Sequence, residues 1–421
     1  MSLKERDQKH LWHPLRQHQL NPDSLAIVKA KGCILTDEDG NEYIDAISSW
    51  YTCVFGHCNE FITRKVYAQM QQLDQVMFSD FTHEPAIRLS EELIKILPKG
   101  QNRIFFNDNG STAVEAGIKM ALQYHFNRGE KRSTFIAFEN GFHGDTFGAM
   151  SVSGLSVYNG PFEDFLMEVK RIPVPNGENT EAILQQLDAY FKNDQIAGFI
   201  YEPIVQGAAG MKIHDVEGLN AILNHCQSNG ILTIADEVMT GFGKTGKHFA
   251  SDWVDTKPDI ICLSKALTAG LLPMAITSCT EKIYEAFLSN DIAKGFFHCH
   301  TYSANPVACA AALAGIELLQ TQDIQQRIQR ISQAHAKFAQ RIQQHPKVKS
   351  MRHIGIIFAL DLDTQTERYG GLRDKLLSFF MDRGVFLRPL GNTIYLQVPY
   401  VIEEEQLNTI YNAIEAALAI F

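Results

Sequence analysis

The chain has 421 residues, 45% of them apolar and 20% charged, which excludes a disordered or fibrous protein and provides for a large dry core. That length corresponds to two or three units, or to one large α/β unit with a smaller one beside it. Lys and Arg number 38 against 48 Asp and Glu, a net charge of −10 with no basic run, which argues against a nucleic-acid partner.

The opening MSLKERDQKH is polar and lacks the apolar core of a signal peptide. No stretch approaches the roughly 20 apolar residues of a membrane span. The most apolar window, Pro306 to Leu319, already contains Glu317. Eight cysteines (33, 53, 58, 226, 262, 279, 299 and 309) are scattered without a CxxC pair. They are expected to be reduced thiols in a cytoplasmic protein with no membrane partner.

Taken in chain order, residues 25–47 read as a small β-meander: LAIVKA, CILT, a turn at Asp37–Gly40, then EYIDAI. Helical periodicity follows over 60–77 and 84–97. From about Arg103, short apolar strands (RIFFN, STFIAF, AGFIYE, ILTIAD, DIICLS) alternate with helical segments such as 112–127, 180–192 and 217–229. Such alternation, with near-continuous apolar strands, predicts an α/β fold with a mostly parallel, buried sheet. A long helical region runs from Pro306 to about Gln344. Strands over 355–362, 385–391 and 393–399 and an amphipathic helix over 403–420 close the chain. The expected organisation is an N-terminal segment (1–48) packing with a small C-terminal α/β domain (306–421), and a large domain between them (49–305).

Ligands of open parallel sheets bind beyond the carboxyl ends of the strands. Three strands here end in charge: AGFIY in Glu202, ILTIA in Asp236 and DIICLS in Lys265. Any one of them alone reads as an ordinary solvated or paired strand end. Together they form a buried ionic site. A lysine at a dry sheet end has a depressed pKa and is free to form a Schiff base. An acid at a neighbouring strand end suits a pyridinium nitrogen, as in enzymes that use pyridoxal phosphate (PLP). The cofactor's phosphate needs an anion site, and RIFFNDNGSTAVEAGIKMAL offers one. Its strand turns through Asp108-Asn109-Gly110 into a helix whose Thr112-x-x-Glu115 reads as a capping box, with Ser111 beside it. By itself this segment is equally a plain capped helix start. Phe142, after the strand STFIAF, is either core or a ring that stacks on a flat ligand.

Three other patterns compete. Gly241-Phe-Gly243-Lys-Thr-Gly246 matches GxGxxG and raises an NAD-dependent oxidoreductase as the alternative class. Five residues separate it from the strand, however, and no helical apolar stripe follows. Gly246-Lys247 lacks the Ser/Thr of a Walker A loop. His298-Cys299-His300 has no second cluster at zinc-ligand spacing, so no metal is expected.

The order and spacing of ILTIADEVMTGFGKTGKHFA (231–250) and PDIICLSKALTAG (258–270) resemble the class III aminotransferases, PLP enzymes of the aspartate-aminotransferase fold (fold type I). The similarity runs along essentially the whole chain. Further segments are similar to the biotin-pathway branch of that family: His10-Leu-Trp-His-Pro14, Ser48-Ser-Trp50, HGDTFGAMSVSG (143–154), EPIVQGAAGM (202–211) and LRPLGNTIYLQVPY (387–400). Members of that branch move an amino group to 8-amino-7-oxononanoate.

The resemblance implies roles for individual residues. Lys265 would carry the cofactor and act as general acid/base, and Asp236 would hold the ring nitrogen. Glu202 would stand beside the cofactor. Phe142 and Val238 would cover the two ring faces, and Gly110 and Ser111 would bind the phosphate. Thr301 would reach the phosphate of a partner subunit, which implies a homodimer with shared active sites. Arg388 would pair with the acceptor carboxylate, while Trp50 and Tyr395 would line its alkyl chain. Leu15, Lys244 and His300 are expected on the substrate side.

Leu15, Phe142 and Lys244 stand where relatives that use S-adenosylmethionine usually have Tyr, Tyr and Arg. S-adenosylmethionine is the family's default donor, with lysine the second choice. Ala208 replaces the acid that glutamate-using relatives carry in the QG-x-x-G turn. That argues against, without excluding, an ornithine- or acetylornithine-type activity; the alternative function is another class III ω-aminotransferase of ornithine, acetylornithine, 4-aminobutyrate or diamine type.

Overall fold

A computed structural model describes residues 2–21, 24–154, 160–364, 366, 368 and 370–421. Its centre is a seven-stranded sheet in the order Gln101–Asn107, Ala275–Thr280, Ile260–Leu263, Leu232–Asp236, Ile196–Tyr201, Thr134–Phe138, Val169–Ile172. The last five strands of that order pair in parallel, and Ala275–Thr280 runs antiparallel to both of its neighbours. Every residue of the four middle strands from Ile260–Leu263 to Thr134–Phe138 is buried, which accounts for their unbroken apolar runs.

Close backbone approach sets the layer above the sheet. The helix Gly110–Asn127 packs on the sheet through Gly117, where a Cβ would lie 3.3 Å from the Cys262 Sγ. The small-residue face of Pro306–Leu319 packs against the helices Glu60–Met70 and Glu84–Ile96.

The early meander forms as expected: Ile27–Lys31, Ile34–Asp37 and Glu42–Asp45 pair antiparallel in sequence order. Its fourth strand comes from far along the chain, because Val385–Phe386 pairs in parallel with Ile44 and Asp45. A separate sheet joins Val348–Ile354, Ile357–Leu362 and Thr393–Gln397.

Several expectations need correction. The helix over 60–77 ends at Met70, after which the Gln69 side-chain amide caps the Leu73 carbonyl. The long region from Pro306 is two helices, Pro306–Leu319 and Gln322–Ile342, because Thr321 N-caps the second through the amide of Ile324. Only Val385–Phe386 of 385–391 is strand. The strands Val169–Ile172, Ala275–Thr280 and Val348–Ile354, and the helices Leu3–His10 and Gly371–Met381, carry too weak an apolar rhythm to read. Among the described residues no helix is long and apolar enough to cross a membrane.

Candidate active site

A cleft of about 640 Å³ opens beyond the carboxyl ends of the parallel strands. Asp236 is the last residue of its strand. One of its oxygens, Oδ2, lies 2.8 Å from the His143 Nδ1, and the other accepts the Val238 amide at 3.1 Å. Both side chains are almost fully enclosed, so the pair is shielded from solvent. Glu202 follows the next strand and accepts the amides of Phe142 (3.1 Å) and Gly207 (3.0 Å). Burial, with Asp236 adding to it, pushes its carboxyl up to about 7 against the opposing effect of His143.

Lys265 begins a short turn after the strand Ile260–Leu263 and sits at φ 46, in the left-handed region. The preceding Ser264 is tied down by a bond from its hydroxyl to the Met274 carbonyl. This backbone directs the amine into the cleft, 5.4 Å from the Tyr51 ring centre. Desolvation lowers the lysine's pKa, and the charges of Asp236 and Glu202 oppose that fall. The amine is therefore shifted toward its neutral, nucleophilic form beside two acids.

The helix Gly110–Asn127 points its N-terminus into the same cleft. Its cap differs from the expected one. Asn109 is the N-cap, and it exchanges bonds with Thr112. Glu115 instead accepts the amides of Gly148 and Ala149. The helix starts three residues earlier than Thr112-x-x-Glu115 implied, which brings Gly110 and Ser111 to the rim. A Cβ at Gly110 would lie 2.8 Å from the Val238 Cγ1, so only glycine leaves this wall open. At Gly144 (φ +133) a Cβ would collide with the Ser111 Oγ.

The opposite wall is built on four consecutive left-handed residues, Ser48 (φ 48), Ser49 (45), Trp50 (69) and Tyr51 (72). Each costs on the order of 1–2 kcal/mol in a non-glycine residue, so the surroundings must hold the turn in place. Asp45, fully buried, accepts the Ile47 amide, the Ser49 hydroxyl at 2.8 Å and the His57 Nε2 at 2.8 Å. Ser48 donates to the Gln397 carbonyl at 2.6 Å. The turn delivers Trp50, over which the Arg388 guanidinium lies 4.8 Å from the ring centre, and Tyr51, whose hydroxyl donates to that of Tyr395 at 2.9 Å.

Of the residues expected from sequence, the cleft brings together Leu15, Trp50, Gly110, Ser111, Phe142, Glu202, Asp236, Val238, Lys265, Arg388 and Tyr395. Three lie elsewhere. Lys244 is fully buried behind the wall: its carbonyl accepts the Ile356 amide, and its ammonium donates to the Gly241 carbonyl at 3.3 Å. Burial, with Lys265 adding to it, lowers its pKa strongly. The loop turns inward at Gly243 and Gly246, both left-handed, which removes Lys244 from the substrate side. His300 is half-buried with its amide on the Ser303 hydroxyl, and Thr301 is exposed with its carbonyl on Gln75. His143 and Arg368 line the cleft without having been assigned a role beforehand. For His143 the available signal was its place in NGFHGDT, two residues after the glycine that follows a strand.

Residues 16–418 match the family model "Aminotransferase class-III", so the chain belongs to the class III aminotransferases and is a PLP-dependent enzyme. It is 44% identical to an adenosylmethionine-8-amino-7-oxononanoate aminotransferase of Synechococcus elongatus, over 96% of this chain and 97% of that one. The crystal structure of the Methanocaldococcus jannaschii protein of the same name superposes with a TM-score of 0.91 at 31% identity, covering 98% of both chains. A PLP-bound amine transaminase from an uncultivated Pseudomonas species also superposes at 0.91, with 29% identity, covering 97% of this chain and 98% of that one.

The donor set fits the cofactor. A lysine, a buried acid braced by histidine, a helix N-terminus with an open glycine wall and two apolar side chains, Phe142 and Val238, all face one cleft.

Proposed function

We propose that the enzyme transfers an amino group from an amino-acid donor to 8-amino-7-oxononanoate, giving 7,8-diaminononanoate for biotin synthesis. The observation that carries this reading is the pairing of two ends in one cleft. A desolvated lysine with two acids supplies the reacting end, an arginine over an indole supplies a carboxylate site, and leucines line the same cleft. An acceptor with a ketone at one end of an alkyl chain and a carboxylate at the other matches that polarity. The names of the relatives support the same acceptor and point to S-adenosylmethionine as donor.

Bound PLP supplies a carbonyl that takes up the donor nitrogen and a ring that spreads carbanion charge. Lys265 Nζ removes the proton from the donor carbon and later returns one to the acceptor carbon. Asp236 holds a proton at the ring nitrogen, and His143, 2.8 Å away, keeps that carboxylate oriented. The amides at Gly110 and Ser111 bind phosphate at the helix N-terminus. Phe142 and Val238 would hold the ring between them, with Glu202 beside it. Arg388 takes the acceptor carboxylate in its planar fork, and Leu15, Trp50 and Tyr395 exclude water along the chain.

The active form in this reading is a cytoplasmic homodimer, with Thr301 of each subunit reaching the phosphate bound by its partner. Because Lys244 is enclosed, donor choice falls to Leu15, Phe142 and the cleft's cations.

The test is a donor screen with 8-amino-7-oxononanoate as acceptor, comparing S-adenosylmethionine, lysine and glutamate, with Lys265→Ala as control. Amination of the acceptor by either of the first two, lost in the variant, is expected. Activity on ornithine or 4-aminobutyrate with none on the oxononanoate would reject the assignment.

A further inference from the structure

The cleft holds more positive charge than one acceptor carboxylate requires. Besides Arg388, Arg368 reaches it from the segment before the helix Gly371–Met381. Its Nη1 donates to the Ala208 carbonyl at 2.6 Å, and its Nε is buried without a hydrogen-bond partner among the described residues. A third arginine, Arg373, lines the cleft too, but its guanidinium holds Asp374 at 2.7 Å. Among the described residues no carboxylate lies within ion-pair distance of Arg368 or Arg388, while the neighbouring Arg352 and Arg373 both have one.

The two unmatched guanidiniums approach the cleft from different supports. Arg388 rests on Trp50. Arg368 rests on Ala208, next to Gly207, whose amide binds Glu202. Glu202 is close enough to Lys265 to act on its charge, so Arg368 belongs to the wall that continues into the reacting end. Both arginines act on the buried Tyr51–Tyr395 hydroxyl pair: desolvation raises these phenols, and the two guanidinium charges oppose that rise. Four acids line the cleft: Asp236 is engaged by His143, Glu202 by two backbone amides and Asp108 by the Thr112 hydroxyl, and Asp145, like the others, forms no ion pair with either cation among the described residues. Two like charges kept half-dry without a counter-ion repel each other and lose hydration, a cost that bound anions remove.

Aminotransfer brings two substrates in succession to one site. The acceptor's carboxylate lies far from its reacting carbon, and that of an α-amino-acid donor lies next to it. We propose that Arg368 is a second carboxylate anchor, a specificity-determining residue that takes the α-carboxylate of the amino donor while Arg388 serves the acceptor. This inference rests on the function proposed above.

The experiment uses the PLP-loaded enzyme and the variants Arg368→Gln and Arg368→Lys. The two half-reactions are followed separately by the cofactor's visible spectrum. Arg368→Gln should raise the donor concentration for half-maximal conversion by about 10- to 100-fold, the range expected for a lost charge-assisted contact. Arg368→Lys should fall between Gln and wild type, and the acceptor half-reaction should change less than about twofold.

Binding without turnover gives an independent readout by calorimetry with α-methylmethionine, which has no α-proton to lose, and with its amide. Wild type should prefer the acid by at least about tenfold, and Arg368→Gln should bind both alike. An unchanged preference for the acid in Arg368→Gln, or an equal loss in both half-reactions, would overturn the inference. A wild-type enzyme that converts with no amino donor would instead remove the functional reading on which the inference stands.

Discussion

Replacing Glu202 by Gln tests the electrostatics of the cleft, and its size can be worked out in advance. Burial raises the Glu202 carboxyl from 4.5 to about 7, so the folded apoenzyme holds a proton that the unfolded chain has released. The native state then binds more protons than the unfolded state between those values, and stability must fall as pH rises through that window. Relative to the fully protonated state, linkage gives a cost of about 1.4 kcal/mol at about pH 5.5 and about 3.3 kcal/mol at about pH 8. Gln carries no charge to bury and escapes this cost, although its NH₂ group faces one amide that the carboxylate had satisfied. That second effect is independent of pH.

The measurement is urea unfolding of wild-type and Glu202→Gln apoenzyme at the two pH values. The stability difference should move in favour of the variant by about 2 kcal/mol between them. A difference that stays constant to within about 0.5 kcal/mol would show that Glu202 is not held protonated by its burial, and the argument for a desolvated acid beside Lys265 would fail.

Three further outcomes follow from the geometry. Gly110→Ala sets a Cβ 2.8 Å from a stiff Val238, so PLP affinity, read by spectral titration of the apoenzyme, should fall by about tenfold or more. Tyr51→Phe or Tyr395→Phe alone should each cost about 1–2 kcal/mol in denaturant unfolding, and the double variant less than the sum, because the two hydroxyls satisfy each other. Asp45→Asn should destabilise by about 3 kcal/mol, because it breaks a buried pair and loosens the left-handed turn. The imidazole of His57, held up to about 10 by Asp45 and Cys53 against its desolvation, adds a pH signature. Wild type should lose stability as pH rises from 6.5 through about 10, and the variant should lack that slope in thermal melts.

Much of the reacting end was legible in sequence because each of its parts is local. An apolar run closed by one charge marks a strand end, and parallel strands gather such ends on one edge. Glu202, Asp236 and Lys265 are therefore legible as one group in the sequence, and the helix at Gly110 begins within a turn of the cap its sequence suggests. The same rhythm failed on Ala275–Thr280 and Val348–Ile354, where turn-like neighbours or alternating charge interrupt the apolar signal.

What only the tertiary structure decided depends on distant partners. Nothing local announces four left-handed residues at Ser48–Tyr51. They exist because Asp45, His57 and the Gln397 carbonyl converge there from separate segments. Val385–Phe386 completes a sheet begun some 340 residues earlier, which sets Arg388 over Trp50. Lys244 looked like a substrate contact by its motif, yet the loop's packing against Ile356 turned it inward. Residue type and local spacing thus determined the chemistry available to this chain. Long-range packing, which costs entropy that no local segment can recover by itself, decided which of those groups share one cleft.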